Sequence, residues 1–593
     1  MKELESSNKE EIASWATGQR ELIERMNGLP EAFLEKYCDE NGEFHWVKEW
    51  PGMDGSDDGY EGFLTWPMFY LIGGHKKFDK LGRQQWEAVT NQFTKYGQIH
   101  DEYDAYYDWL HHGESSTYLY YLGMSDPNNK KDRERAIRFA DFYVDPKYGN
   151  WDAELKQMKS PINGSKGAQS SMSAEDWCTH REVLKDYLAP FEDIPGYELD
   201  DPEINLDWED DTIFAAILKT MNERMVPGDI PMNLVATSLV SNAYLYTGEE
   251  KYKQWVLDYL ETWTKKTEEN DGILPDNIGP TGKIGELMDG KWWGGYYGWH
   301  WPHGALNQME STLIAGCNAM MLDQDESHLD LYRSVADMMW SNRKEVDGEQ
   351  LVPYKKGDKG WFTYRKMDPF YHIQCWYMTQ DESDKEKLLE QNPGVLQTLN
   401  GANFGKAGSY AGNNWLAFIT GNNEDYAEQV IAHTHQGIDH RLALCDKDDI
   451  ADCESWDVHH WQNRDPILPT PLIQMAMGTC GEVYHGGLLY AAVSYFNPEE
   501  SRAGLTSDMA AFVTKFNATE IDLTLVNTNE SETHEQIIQA GSFGEHQFLS
   551  VELDGQSSDI DDARMLVKLA AGCTAHLKIT YKRYQNKPSY YSL

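Results

Sequence analysis

Carboxyl groups and histidines are concentrated in loops of this sequence that are unusually rich in tryptophan, tyrosine and glycine. Residues 101–114 read DEYDAYYDWLHHGE, and residues 291–303 read KWWGGYYGWHWPH. Aromatic rings stack on the C–H faces of sugars, whereas carboxylates and amides bind sugar hydroxyls. Cleavage of a glycosidic bond needs one carboxyl group to protonate the leaving oxygen and a second one to activate water or to attack directly. These loops therefore predict a sugar-binding site with acid/base chemistry.

The candidate catalytic residues lie in or near these loops: Glu114, Asp58, Glu61, His112 and His303. Glu114 follows two histidines at the predicted start of a helix, and it or Asp58 is the predicted proton donor. An equally open interpretation is that Glu114 is a first-turn acid stabilised by the helix dipole. At least half of the acidic loop residues, which also include Asp104 and Asp108, are expected to be N-caps or partners of basic side chains.

A second group of loop residues is predicted to bind the substrate. Arg365 would pair with a sugar carboxylate, because its guanidinium offers a planar two-donor fork, although a bridge to a neighbouring Asp is the alternative. The pair His300 and His303 lacks an identifiable third ligand, so neither a metal nor another cofactor is predicted. The predicted binding residues are Trp109, Asp108, Trp293, Tyr296, Trp299, His300, Arg365, His372, Asn413 and Trp415.

The elements that carry these loops repeat as helical hairpins. Six junctions share a pattern in which an apolar aromatic helix ends in glycine or a polar turn before an amphipathic helix, at residues 70–73, 121–123, 246–249, 321–323, 377–379 and 419–422. Residues 233–244 are apolar nearly all round and should be buried, whereas residues 252–263 are amphipathic. Six such hairpins predict an (α/α)6 toroid, with an open helical array as the alternative. The loops leading into the buried helices would then converge on one rim.

The predicted domain organisation follows from changes in this periodicity. Residues 1–445 form the toroid and catalytic domain, opened by an amphipathic helix at about residues 9–36 and interrupted by an insertion at about 151–210. Residues 446–505 form a connecting loop and helix segment. Residues 506–593 show period-two patterns and predict a small antiparallel β-sandwich, with strands only after about residue 480.

Composition excludes several kinds of partner. With 52 Lys and Arg against 98 Asp and Glu, the formal net charge is −46, which repels nucleic acids and anionic membranes. The charged N-terminus carries neither a signal peptide nor a membrane span, and a periplasmic or secreted location, with a signal removed earlier, is the expectation. Cys445 and Cys453 are the only close cysteine pair, and a disulfide between them is possible.

The six-hairpin ring with an acidic, tryptophan-rich rim resembles the α/α-toroid carbohydrate enzymes, including unsaturated glucuronyl hydrolases and related glucuronidases, over about residues 1–440. The resemblance implies a glycoside hydrolase acting on oligosaccharides or polysaccharide fragments that contain uronic acid. With a following β domain it also resembles certain polysaccharide lyases. A lyase would use Tyr or His as a base and neutralise the uronate, with Tyr296, His300, His303, Arg365, His372 and Asn413 as candidates. The third possibility is a non-catalytic glycan-binding protein or a sugar epimerase.

Overall fold

A computed structural model describes residues 1–50, 52, 54–177, 181–397 and 412–591. The chain is mainly helical up to residue 477 and β-rich after it. Its helices are α1 (Ser14–Asn27), α2 (Pro30–Tyr37), α3 (Ser56–Glu61), α4 (Thr65–Tyr70), α5 (Lys77–Tyr96), α6 (Trp109–Ser125), α7 (Lys130–Val144), α8 (Arg181–Leu184), α9 (Asp211–Arg224), α10 (Ala236–Thr247), α11 (Glu250–Glu269), α12 (Ala305–Asp323), α13 (Asp330–Ser341), α14 (Pro369–Thr379), α15 (Glu382–Gln391), α16 (Gly412–Ile419), α17 (Tyr426–Cys445) and α18 (Thr470–Met477).

The predicted α/α toroid is confirmed, and its six hairpins are α4–α5, α6–α7, α10–α11, α12–α13, α14–α15 and α16–α17. The first helix of each hairpin is the inner one: α6 and α12 are buried along nearly their whole length, whereas α11 buries one face. Each inner helix packs on the next, from α4 through α6, α10, α12 and α14 to α16. Helix α18 contacts α17 and α4 and so closes the ring, while α1 packs outside it on α17.

The C-terminal part is a β-sandwich, as predicted. One sheet has the order β1-β18-β15-β11-β12 and the other the order β13-β14-β19-β16-β17. All of their pairings are antiparallel except that of β1 with β18. The strands are β1 (Lys2–Ser6), β11 (Val493–Asn497), β12 (Arg502–Ala503), β13 (Met509–Phe516), β14 (Glu520–Asn527), β15 (His534–Ala540), β16 (Gln547–Leu553), β17 (Gln556–Asp562), β18 (Arg564–Leu569) and β19 (Thr574–Lys582).

The prediction that strands occur only after about residue 480 is wrong. Strand β1 has the sequence KELES and pairs with β18, near the other end of the chain. Its charged residues give no sign of a strand, so the pairing was not predicted from the sequence. The toroid also carries three hairpins whose strands are two residues long, and a three-stranded antiparallel sheet. The hairpin strands are β2 (Ile99–His100), β3 (Tyr103–Asp104), β4 (Trp151–Asp152), β5 (Gln157–Met158), β6 (Asp193–Ile194) and β7 (Tyr197–Glu198). The sheet consists of β8 (Lys344–Val346), β9 (Glu349–Gly357) and β10 (Gly360–Arg365).

The sandwich also begins earlier than the predicted boundary at residue 506. All five residues of β11 are buried, so the strand lacks the alternation that a half-exposed strand shows.

Side chains also join the ring to the sandwich. The Gln19 side chain of α1 donates a 3.1 Å hydrogen bond from Nε2 to the carbonyl oxygen of Ala511 in β13, and its Oε1 accepts a 2.9 Å hydrogen bond from the amide of the same residue.

Two further features bear on the expectations from sequence. Cys445 and Cys453 are both free thiols, so they form no disulfide in the structure. In the described part of the chain, no helix combines the length and apolar character that crossing a membrane requires.

Candidate active site

A cavity of about 440 Å³ opens at the rim where the chain leads into α3, α6 and α12. The insertion and the segments after α17 and α18 contribute the rest of its wall. Its apolar surface is largely aromatic, which suits the C–H faces of sugar rings. The aromatic lining residues are Trp46, Trp177, Tyr187, Tyr296, Tyr297, Trp301 and Trp456.

Glu114 and His485 meet on one side of this cavity. Glu114 lies in the second turn of α6 and is 4% exposed. Its Oε1 is 3.5 Å from His485 Nε2, and the other ring nitrogen, Nδ1, is 2.7 Å from Oε2 of Glu310 in α12. A carboxylate on Nδ1 fixes the orientation of the ring. Nε2 of His485 is therefore directed at Glu114.

Three aspartates and two histidines form a second group on the cavity wall, which we call the Asp54 cluster: Asp54, Asp57, Asp58, His111 and His459. Asp57 and Asp58 lie in the first turn of α3 and are each 1% exposed. Burial, reinforced by the charge of Asp58, raises the pKa of Asp57 well above its usual range. Although burial opposes the charge on His111, the carboxylates of Asp108 and Asp54 hold its pKa well above the ordinary value.

His303 lies on the same wall but in a different environment. Burial, together with the positive charge of nearby groups, lowers the pKa of His303 to about 4. Its imidazole is therefore neutral at neutral pH and can accept a proton or a hydrogen bond.

A second cavity of about 380 Å³ adjoins the first and shares Tyr187, Pro302 and His303 with it. Its lining carries two cations, Lys355 and Arg365. Lys355 is buried and donates a 2.7 Å hydrogen bond from Nζ to the carbonyl oxygen of Pro302. Burial and the charge of Arg365 lower the pKa of Lys355 to about 8. Asp186 and Glu203 also line this cavity, so an anionic group of a ligand would pair with Lys355 or Arg365 individually and not with a net positive surface.

The structure brings together part of the predicted site. Glu114, Asp58, His303 and Tyr296 line the main cavity, and Arg365 lines the adjoining one. Of the other catalytic candidates, His112 is fully buried behind the wall, with Nε2 3.0 Å from the carbonyl oxygen of Asn163. Glu61 is buried and accepts a hydrogen bond from the hydroxyl of Tyr484. Their predicted place in the pocket is incorrect.

Most of the predicted substrate-binding residues lie outside the linings of both cavities. Asp108 is the N-cap of α6, and His372 is held between Tyr332 and Gln391, outside the linings of both cavities. His300 contacts the carbonyl oxygens of Lys356 and Ala189. Trp109, Trp299 and Trp415 are fully buried, Asn413 is buried in α16, and Trp293 lies half-buried under the ammonium group of Lys356. Residues 398–411, which precede Asn413 and Trp415 in the chain, lie outside the described residues.

Sequence reasoning missed several residues of the site: Asp54, Asp57, His111, Glu310, His459 and His485. One signal was available, because Glu310 is the only charged residue of α12 before its last residue, Asp323, and an acid inside a buried helix needs a partner. Asp57 and His111 lie in the first turns of α3 and α6, whereas Asp54, His459 and His485 come from loops whose place in the fold depends on contacts far along the chain.

The fold and the cavity define a helical toroid with a C-terminal β-sandwich and an acidic, aromatic-lined site at the rim. The sequence profile of the family described as "Domain of unknown function (DUF8034)" matches residues 5–352 and 346–473, and this chain belongs to that family. No curated protein matches the chain.

Several solved structures are similar in architecture. A D-mannose isomerase has a TM-score of 0.39 at 9% identity, covering 64% of this chain and 86% of its own. A family 76 glycoside hydrolase from a bovine Bacteroides thetaiotaomicron strain scores 0.35 at 9% identity, covering 78% of each chain. A cellobiose 2-epimerase from Bacillus thermoamylovorans scores 0.23 at 14% identity, covering 62% of this chain and 100% of its own. At these scores, neither an activity nor a substrate follows from the likeness.

Proposed function

We propose that this protein is a glycoside hydrolase that acts on oligosaccharides containing uronic acid. The observation that carries the proposal is the single cavity in which Glu114, in contact with His485, shares an aromatic-lined wall with the carboxyl groups of Asp57 and Asp58. Hydrolysis of a glycosidic bond requires such a combination of a proton donor and a second carboxyl group.

Glu114 is the proton donor in this proposal. It would protonate the leaving glycosidic oxygen and then recover a proton from His485, whose ring is held by Glu310 at 2.7 Å. The second function, activation of the attacking water, belongs to the Asp54 cluster on the same wall. The tryptophan and tyrosine side chains would position the sugar ring between the two groups.

The preference for a uronate is supported by the adjoining cavity. Lys355 and Arg365 are cations within reach of a ligand that extends past His303, in a protein whose net charge is −46. Arginine can pair with a carboxylate through two parallel hydrogen bonds.

A second candidate function is proton abstraction from a sugar carbon, as in a lyase or an epimerase. His303 supports it, because a neutral histidine on the cavity wall can act as a base. A lyase leaves an unsaturated product that absorbs in the ultraviolet, whereas an epimerase exchanges a carbon-bound hydrogen with solvent without creating a reducing end.

The test is to incubate the purified chain with matched uronate and neutral oligosaccharides in water enriched in ¹⁸O and, in a parallel reaction, in D₂O. We expect new reducing ends that carry ¹⁸O, no ultraviolet-absorbing product, and faster turnover of the uronate series. Ultraviolet absorbance without ¹⁸O incorporation would assign the lyase reaction, and deuterium exchange without cleavage would assign the epimerase. Equal turnover of both series would contradict the uronate preference alone.

A further inference from the structure

The Asp54 cluster divides into two triads that share one residue. Ligand-type atoms of Asp54, Asp57 and His111 all lie within 4.8 Å of one another, and so do those of Asp54, Asp58 and His459. Each triad has two carboxylates and one imidazole, and Asp54 belongs to both. A carboxylate has two oxygens, so Asp54 can contribute one to each of two neighbouring ions.

Both histidines are oriented as metal ligands usually are. His111 Nδ1 lies 2.9 Å from Oδ1 of Asp108, which leaves Nε2 facing Oδ1 of Asp54 at 3.4 Å. His459 repeats this arrangement, with Nδ1 on Asp457 and Nε2 3.5 Å from Oδ1 of Asp58. A metal-bound histidine almost always gives its other ring nitrogen to a carboxylate or a carbonyl, which fixes the tautomer. Asp108 and Asp457 lie outside the triads and supply that support independently.

A buried oxygen in the cluster also lacks a partner. Oδ1 of Asp57 accepts a 3.1 Å hydrogen bond from the amide of Gly55, but Oδ2 has no hydrogen-bond partner among the described residues. Asp57 is 1% exposed and lines the cavity beside the other ligand atoms. Burying a carboxylate oxygen without a partner is costly, and a bound cation would remove the cost.

We propose that the Asp54 cluster binds two divalent transition-metal ions, bridged by the carboxylate of Asp54. One ion would be held by Asp57 and His111, and the other by Asp58 and His459. The mixture of imidazole and carboxylate favours Zn²⁺, Mn²⁺, Fe²⁺ or Co²⁺ over Ca²⁺ and Mg²⁺, which prefer ligands made only of oxygen.

The site would change the charge of this part of the wall. Two dications would offset most of the negative charge of the five neighbouring carboxylates, so the wall would repel the anionic oxygens of a substrate much less. A metal-bound water is also a stronger nucleophile at neutral pH than free water, which fits the position of the cluster in the proposed hydrolase.

The test measures bound metal, so its result is independent of catalytic activity. The full chain is stripped with a chelator, dialysed against Zn²⁺ or Mn²⁺ with excess Ca²⁺ and Mg²⁺ present, and analysed for metal content. We expect two transition-metal ions per chain, one in each of the variants His111→Ala and His459→Ala, and none in Asp54→Asn. The variant His485→Ala is the matched control, because it removes a histidine from the same cavity but outside the cluster, and it should keep both ions.

Circular dichroism of the metal-free proteins checks that the variants are folded. If Asp54→Asn fails to fold, the two histidine variants and the visible spectrum of the Co²⁺-loaded wild type decide the matter, since Co²⁺ absorption reports ligation directly. Metal content that is unchanged in all three cluster variants, or retention of Ca²⁺ and Mg²⁺ in preference to the transition metals, would overturn the proposal.

Discussion

Glu114 is the residue on which the proposed hydrolysis depends most directly, because its carboxyl group faces both the cavity and His485. Changing it to glutamine keeps its size but removes the exchangeable proton. General acid catalysis typically contributes 10²–10⁴-fold, so we expect Glu114→Gln to lower kcat by about that factor with KM nearly unchanged. Steady-state kinetics of the wild type and the variant measure the change in kcat and KM. The variant His112→Gln is the control, because His112 is a buried residue of the same helix. Full activity in Glu114→Gln would exclude Glu114 as the donor.

Lys355 gives a pH dependence with a definite sign. With a pKa of about 8, its ammonium form is present below that pH and is lost above it. The charged groups that influence it most are Arg365, which lowers its pKa, and Glu203, which raises it. We expect KM for a uronate oligosaccharide to rise as the pH increases from about 7 to about 9, and KM for a neutral analogue to stay constant. Lys355→Arg should abolish the rise, because a guanidinium stays charged; a rise that persists in this variant would show that another group titrates.

At the scale of elements, the site depends on the close packing of α6 against the loop after α18. A Cβ atom at Gly113 would lie 2.2 Å from the carbonyl oxygen of His485, so no larger residue fits there without moving that loop. We expect Gly113→Ala to cost about 1–3 kcal/mol of stability from overpacking and to reduce kcat by displacing His485 from Glu114.

Gly82→Ala is the matched control for this prediction, since Gly82 is a buried helical glycine in α5 whose added Cβ would meet its nearest neighbour at an ordinary 3.4 Å. Denaturant unfolding and turnover are measured for both variants. Equal effects of the two substitutions would show that Gly113 has no special role in positioning the loop.

Helix α6 and the loop after α18 also show which parts of the structure could be predicted from the sequence and which could not. Hairpins such as α10–α11 were predictable, since periodicity and the capping glycine Gly248 are local properties. The direction of a side chain at a helix start is not local: Trp109 and Glu114 belong to the same helix, but only Glu114 reaches the cavity. His485 joins the site through a loop that packs on a glycine far away in the chain, and no periodic pattern signals such a contact.

On the scale of the whole molecule, a single side chain contributes to the stability of the contact between the ring and the sandwich. The Gln19 amide joins α1 to β13 by two hydrogen bonds and is 1% exposed. Gln19→Leu would leave the amide and carbonyl groups of Ala511 buried without partners, at a cost of about 1–3 kcal/mol. Urea unfolding followed by circular dichroism measures this loss, and the exposed substitution Glu21→Ala should change stability by less than about 0.5 kcal/mol. A loss no larger than that of the control would mean that water replaces the lost bonds.

The charge of the whole molecule opposes the charge of its proposed substrate. The net charge of −46 repels an anionic oligosaccharide at long range, whereas the two cations of the adjoining cavity act only at short range. Salt shortens the Debye length from about 30 Å at 0.01 M to about 8 Å at 0.15 M, which screens the distant surface charges more than contacts inside a cavity. We therefore expect kcat/KM for a uronate oligosaccharide to increase with NaCl over this range, while that of a neutral analogue stays flat. A decrease of kcat/KM for the uronate with NaCl would show that local attraction by Lys355 and Arg365 controls the encounter. In that case the variant Arg365→Gln should no longer show the decrease.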